Sequence, residues 1–367
     1  MQDIPSLRLR ERERTPMADT NDGRGRKSAV TLADVAGHAG VSRATASLVL
    51  RETGRVSVAT RERVHASMSA LGYIPDKTAA ALRHHSTNTV GVVVTNLANP
   101  FFGELLRGFE RTMSDANHTC LLTDTGDDPQ AQKATIQELR SHRVAGLAII
   151  PATGTSTDPL RELQDAALPF VLMSRNVHGA EFPFVGADDE LGGELVARHM
   201  IEVHGCRALA YIGGQRPILS RQARIAGVKR AMAANGLPPE SLLDAASPTT
   251  GAGGLDAAHT LLASGRTPDA ILCHSDGVAF GVYRALRQRG LANDIPVTGF
   301  DDVSTAALWE PPLTSVATRG ERLGRIAAER LLEAIAGSSR THVDRFPPSL
   351  VVRESCGCPA ERGDFAP

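Results

Sequence analysis

Apolar positions recur along this chain in two different rhythms. Over residues 31–72 the rhythm is helical. Leu32, Val35 and Ala36 fall on one face behind Thr31-Leu-Ala-Asp34, a Thr-x-x-acid start signal, and Gly40 ends that helix. Ser42 caps a second helix, expected from Arg43 to about Leu50. Only Ala39, Gly40 and Val41 separate the two, so they must cross steeply, as in a helix-turn-helix unit. Small residues at Ala36, Ala39 and Ala46 permit the close approach. Ser57 caps a third helix, with Val64, Met68 and Leu71 apolar and Gly72 as its stop. The second helix is left exposing Arg43, Ala44, Thr45, Ser47 and Leu48. Beyond Tyr73-Ile74-Pro75, Asp76 caps a short helix over residues 77–83, marginal in isolation.

From Asn88 the rhythm changes. VGVVVTNL, CLLTDTG, VAGLAIIPA, FVLMSR, LAYIGG, AILCHSD and IPVTGFDD are apolar runs that read as buried parallel strands. Helical segments such as FGELLRGFERTMSDANH and SRQARIAGVKRAMAANG separate them. This alternation predicts an α/β core, and the number of βα units predicts two doubly wound parallel-sheet subdomains. Ligands of such sheets bind beyond the carboxyl ends of the strands. That directs attention to residues 96–102 and 213–220, and to Ser174, Arg175, Ser275, Asp276, Asp301 and Asp302.

Charge sharpens this division. The 367 residues carry a net charge of -1, but residues 26–85 hold nine Lys and Arg against four acids, a net charge of +5. Residues 1–25 balance, which leaves the remainder acidic. A basic head on an acidic body is a nucleic-acid footprint. No apolar run reaches the roughly 18 residues of a membrane span. The first residues place charges where a signal peptide needs its apolar core, so a cytoplasmic protein is expected, with a polar arm before the head or a true start at Met17. Five scattered cysteines suit reduced thiols. Cys356-Gly-Cys358 lacks the usual CxxC spacing and has no His near it in sequence, so no metal is expected. No cofactor or enzyme motif is present: nucleophile elbow, Walker loop, HExxH and GxGxxG are all missing. The pairs Asp127-Asp128, Asp188-Asp189 and Asp301-Asp302 follow strands but have no nucleophile beside them.

The run TLADVAGHAGVSRATASLVL, followed by VSVATRERVHASMSALGYIPDKTAAALR, resembles the DNA-binding head and hinge of the lactose-repressor (LacI/GalR) family. The resemblance implies that the second helix enters the major groove. Arg43, Ala44 and Leu48 then face base edges: Arg43 offers a fork to guanine, and the other two offer apolar contact. Thr31, Ser42, Thr45, Ser47, Ser57 and Thr60 would bond the DNA backbone. Ala46 stands where the family usually has Val. Leu82 is at the position of the hinge Leu that wedges into the minor groove, with Ala79 one turn earlier at the contact between paired hinge helices.

The resemblance continues through NPFF, VGADDELGG, IGG…SRQARIAGV, HSDGVAFG, VTGFDD, PPLTSV and LVVRES, to about Ser355. It implies a core like a periplasmic sugar-binding protein, with an effector cleft between two subdomains. Residue by residue it implies Arg224 and Asp301 as the gripping cation and acid, with Ser220, Phe101 and Phe102 beside them. Ser174 and Ser275 stand where sugar-binding members often have Asp and Asn. Trp309, the single Trp, lies at a crossing near the cleft.

The expected organisation is an arm over residues 1–28, a helix-turn-helix head over 29–74 and a hinge helix over 75–87. A core over 88–355 and a tail over 356–367 follow. The first subdomain is expected to comprise about 88–186 and 314–341, and the second about 187–313 and 342–355. The function expected is a homodimeric transcriptional repressor that reads a pseudo-palindromic operator under control of a small-molecule effector. The tail has no apolar heptads that would pair dimers into a tetramer. The alternative, a transporter's solute-binding protein, needs an export signal and no DNA-binding head.

Overall fold

A computed structural model describes residues 30–74, 87–338 and 340–359. The chain divides into two compact units, with the boundary at His84. The hinge positions Ala79 and Leu82 lie outside the described residues, as does the expected arm.

The head holds three helices, α1 (Leu32–Ala39), α2 (Arg43–Leu50) and α3 (Val58–Leu71). Thr31, Ser42 and Ser57 cap their starts. Gly40 takes the left-handed conformation, φ 63° and ψ 39°, and ends α1 so sharply that Val41 N–H returns to the Ala36 carbonyl at 3.0 Å. Val35, Ala36, Ala39, Ala46, Val49, Val64 and Met68 form the core. Ala46 is wholly buried within this core.

The second unit contains two six-stranded sheets. The first comprises β1 (Thr89–Val94), β2 (Thr119–Asp124), β3 (Gly146–Ile149), β4 (Phe170–Met173), β5 (Phe184–Ala187) and β11 (Val343–Phe346). Its order is β11-β5-β4-β3-β1-β2, all parallel. The second comprises β6 (Leu209–Ile212), β7 (Leu243–Ala245), β8 (Ala270–Cys273), β9 (Val297–Asp301), β10 (Thr314–Ala317) and β12 (Ser349–Val351). Its order is β12-β10-β9-β8-β6-β7, with β12 alone antiparallel. Helices α4 (Pro100–Asp115), α5 (Pro129–Ser141), α6 (Asp158–Asp165) and α11 (Gly320–Ile335) serve the first sheet. Helices α7 (Asp189–Glu202), α8 (Leu219–Ala234), α9 (Gly251–Ala263) and α10 (Asp276–Gln288) serve the second. A helix layer on each face of each sheet follows from strands that are apolar on both sides.

The chain crosses between subdomains three times, after β5, after β10 and after β11. Two expected boundaries therefore move. Residues 314–317 belong to the second sheet and 343–346 to the first, because a strand joins the neighbour it bonds to, and one residue run looks like another until that pairing exists. The run CLLTDTG is also not fully buried. Strand β2 lies at the sheet edge, and Leu121 and Leu122 remain 39% and 46% exposed. Nor does the core stop at Ser355: Cys356 is fully buried in the second subdomain. Among the described residues no helix is long and apolar enough to cross a membrane.

Helices α7 and α8 touch backbone to backbone. A Cβ on Gly193 would collide with the Arg224 carbonyl oxygen, and one on Gly227 with that of Glu190. The pairs α4–α11 and α9–α10 are built the same way, around Gly108 with Gly324 and Gly254 with Gly281. Gly227→Ala is expected to lower core stability by about 1–3 kcal/mol in urea denaturation, because no side chain can yield the space. Gly103→Ala, in the exposed and open face of α4, is expected to leave stability unchanged or raise it by up to about 1 kcal/mol.

Candidate functional site

The head presents a row of hydroxyl groups along its helix starts. Thr31 closes a capping box: Asp34 N–H donates to Thr31 Oγ1 at 3.3 Å, and the Thr31 amide and hydroxyl donate to Asp34 Oδ2 at 2.8 and 2.7 Å. These bonds hold the Asp34 carboxyl below its ordinary range. Thr45 N–H donates to Ser42 Oγ at 3.0 Å, and the two hydroxyls meet at 2.9 Å. Ser57 and Thr60 repeat this pairing at 3.3 and 2.9 Å. In each pair one hydroxyl proton serves the other oxygen and one remains for an outside acceptor, such as a phosphate. Thr31 has already committed its hydroxyl proton to Asp34. Ser47 Oγ accepts from Arg51 Nη2 at 2.8 Å and keeps its own proton. Arg43 and Ala44 stand exposed at the first positions of α2. Leu48 is half-buried against Gly54.

In the core, Arg224 on α8 is the centre of a buried polar cluster. Its Nε donates to Asp189 Oδ1 at 2.7 Å, its Nη1 donates to the His274 carbonyl, and its guanidinium carbon lies 3.5 Å from the centroid of the Phe300 ring. Asp189 reaches it because α7 and α8 approach so closely. No partner among the described residues takes its Nη2. Asp301, at the end of β9, is buried with φ 104°. Its carboxylate accepts no hydrogen bond from the described residues, yet it lies within electrostatic reach of Arg224. Burial pushes the carboxyls of Asp189 and Asp301 up, and Arg224 pulls both back. Those two acids in turn keep Arg224 cationic despite its burial.

His274 adjoins this cluster. Tyr211 Oη meets its Nδ1 at 3.0 Å, and burial with Arg224, Arg175 and Arg221 around it drives its pKa well below the ordinary value. The imidazole is therefore neutral, and its tautomer decides which of the two donates. Arg221 donates through Nε to the Gly213 carbonyl at 3.0 Å and pairs with Asp244. Asp276, the first residue of α10, accepts Ser315 Oγ at 2.6 Å and Val303 N–H at 2.8 Å. Burial pushes it up to about 7 against these bonds.

Between the subdomains lies a cavity of about 310 Å³. Asn96, Phe102, Asp124 and Arg175 line it from one side, and Gln215 and Thr250 from the other. Arg175 is held by Asp127 Oδ1 at 2.8 Å, and Asp127 also accepts Thr153 N–H at 2.9 Å. Phe101 turns away, onto Gly320 and the core, with its ring 5.6 Å from that of Phe102. Ser220 is buried one turn before Arg224, and Ser275 caps α10 through Val278 N–H at 3.4 Å. Ser174 is half-buried with φ 61°.

Trp309 does not join this group. Its indole stacks on Phe280 at 4.2 Å and lines a separate groove with Leu255, Tyr283, Arg284 and Arg287. It is carried there by the short 3-10 turn Ser304–Leu308. Sequence reasoning also missed Asp189, His274 and Tyr211, which lie in strand ends and helix starts that only the folded sheets bring together. Asp189 was visible as half of an acidic pair, but nothing in sequence tied it to Arg224.

Residues 31–76 match the model for the bacterial regulatory proteins of the lacI family, and residues 197–356 match a periplasmic binding protein-like domain. The chain is 32% identical to the HTH-type transcriptional repressor PurR of Vibrio parahaemolyticus over 89% of its length and 98% of that protein's. A lac repressor dimer bound to operator and the anti-inducer ONPF superposes with a TM-score of 0.80 at 26% identity, over 89% of this chain and 99% of that one. The complex of the transcriptional regulator CelR with cellobiose gives 0.67 at 29%, over 89% and 99%.

The raised Asp276 pKa has a sign that can be checked. Its folded value of about 7 exceeds its ordinary 3.8, so the unfolded chain releases this proton first as pH rises. Stability from this group is full at low pH and declines between about pH 4 and 7. In urea denaturation across that range, wild type is expected to lose up to roughly 4 kcal/mol relative to Asp276→Asn and to run parallel to it above pH 7.

Proposed function

Because the chain belongs to the lacI family of bacterial regulatory proteins, and is a DNA-binding transcriptional regulator with an effector-binding core, we propose that it is a homodimeric repressor controlled by a polyhydroxylated effector, a sugar or related metabolite. The observation that carries the effector class is the Arg224–Asp301 arrangement. A guanidinium with an uncommitted donor stands in reach of a carboxylate with uncommitted acceptors, inside a low-dielectric site. A vicinal hydroxyl pair satisfies both at once, by accepting from one and donating to the other. Phe102 and Asn96 offer an apolar surface and an amide in the cavity between the subdomains, whose lining includes neither Arg224 nor Asp301. Ser220, Ser174 and Ser275 add small polar positions around it.

The effector acts by binding one relative setting of the two subdomains better than the other. In the head, Arg43 reads guanine, and Ala44 and Leu48 make apolar base contacts. Ser42, Thr45, Ser47, Ser57 and Thr60 hold phosphates through their remaining protons, and Thr31 adds the start of α1. Leu82 and Ala79 serve the hinge, in the minor groove. Two copies pair, so that two heads match a pseudo-palindromic operator. The work is done in the cytoplasm, where the operator is.

Two outcomes test this reading. Arg43→Ala is expected to weaken operator binding by about 1–3 kcal/mol and to relax one base position in a gel-shift panel, whereas equal loss on every sequence would refute base reading. Asp301→Asn keeps the shape and the tolerance for positive φ. It is expected to lower effector affinity at least about 10-fold by calorimetry while leaving operator binding without effector unchanged. Undiminished binding in titrations with a panel of sugars, sugar acids and polyols would remove Asp301 from the site.

A further inference from the structure

Four metal-ligating side chains converge away from the cleft. His199 lies in the last turn of α7, and His204 follows just past the helix end. Cys356 and Cys358 flank Gly357 at the other end of the unit's sequence. The four ligand atoms lie within 4.8 Å of one another. His199 Nε2 is 3.3 Å from His204 Nε2, 3.4 Å from Cys356 Sγ and 3.8 Å from Cys358 Sγ, and His204 Nε2 is 3.4 Å from Cys358 Sγ. A single N–H on His199 can serve one of three such neighbours, so pairwise hydrogen bonds do not account for the convergence.

A shared centre does. With bonds of about 2.3 Å to sulfur and about 2.05 Å to nitrogen, a tetrahedron requires N···N edges of about 3.3 Å and N···S edges of about 3.6 Å. Four of the six edges, at 3.3 to 3.8 Å, match these lengths closely, and the other two are no longer than 4.8 Å. The two imidazole rings stand edge to face at 73°, which lets both Nε2 atoms point to one spot. Gly357 has φ 96°, a left-handed turn between the two cysteines, and a Cβ there would sit 3.6 Å from His204 Nδ1. Cys356 is buried and the other three are half-buried, so the site is walled on the inside and open to an ion from solvent.

We propose that His199, His204, Cys356 and Cys358 bind one tetrahedral divalent ion of the zinc type. An S2N2 set with no oxygen ligand selects zinc over magnesium or calcium. All four positions are filled by protein, so the site is structural and leaves no place for a substrate. The ion clamps the end of the described chain to the end of α7, the helix whose other end carries Asp189. Binding requires both cysteines as thiolates and releases their protons.

The test uses full-length protein whose thiols have been counted as reduced. Zinc analysis after dialysis is expected to give one equivalent per chain. Cobalt titration is expected to give the visible bands of tetrahedral cobalt with a thiolate charge-transfer band in the near ultraviolet. Zinc is expected to raise the thermal midpoint. Cys358→Ser and His204→Gln, both half-buried and expected to fold, should weaken zinc binding at least about 100-fold and abolish the midpoint shift. Cys120→Ser, elsewhere in the chain, should change neither. No metal and no cobalt spectrum in reduced wild type would overturn the proposal. So would equal zinc uptake by Cys358→Ser.

Discussion

The backbone contact between α7 and α8 underlies the regulatory core. Gly193 and Gly227 let the two helices meet with no side chain between them. At that distance Asp189, on the first turn of α7, reaches the Arg224 guanidinium at 2.7 Å. A helix spacing set by Ala or Val would part this pair and leave a charge buried alone, which is the costly case for an ion pair. The glycines therefore decide more than packing. They determine that a cation can be held deep in the second subdomain, over the Phe300 ring, with one donor to spare.

On the proposed reading of this cluster as the effector site, charge burial is the source of selectivity. Arg224, Asp189, Asp301 and neutral His274 share a region where interactions are strong and unmade hydrogen bonds are expensive. A ligand that completes the bonds of Arg224 and Asp301 gains more there than at the surface. One that reaches only one of them leaves the other unsatisfied, and specificity follows from that difference. The same subdomain is joined to the first by three chain crossings.

The chain's end takes part in this architecture. Beyond β12, Ser355 Oγ donates to the Val297 carbonyl at 2.6 Å, and Cys356 sits in the core beside α7. Helix α7 is held at one end by the Arg224 pair and at the other by the His–Cys cluster. Both holds act on the same rigid element, which starts at the first crossing between subdomains.

Local patterning determined much of this protein. Thr31, Gly40, Ser42, Ser57 and Gly72 each mark a helix end by chemistry that acts within four residues, and all five do so in the structure. Apolar runs alternating with helical stretches likewise specified two parallel sheets, because strands buried on both faces need no partner to be recognised. The long head motif made the DNA-binding role legible for the same reason, as its residues are contiguous. Tertiary structure alone decided the rest. Strand pairing moved residues 314–317 and 343–346 to the sheets opposite to those their order implies, since hydrogen-bonded neighbours are not a property of either run. Packing sent Trp309 to a surface groove rather than the cleft. It also brought His199 and His204 to Cys356 and Cys358 across more than 150 residues, with His199 Nε2 3.4 Å from Cys356 Sγ. No spacing rule reaches that far, because the contact exists only once α7 and the chain's end have been laid on the same side of one sheet.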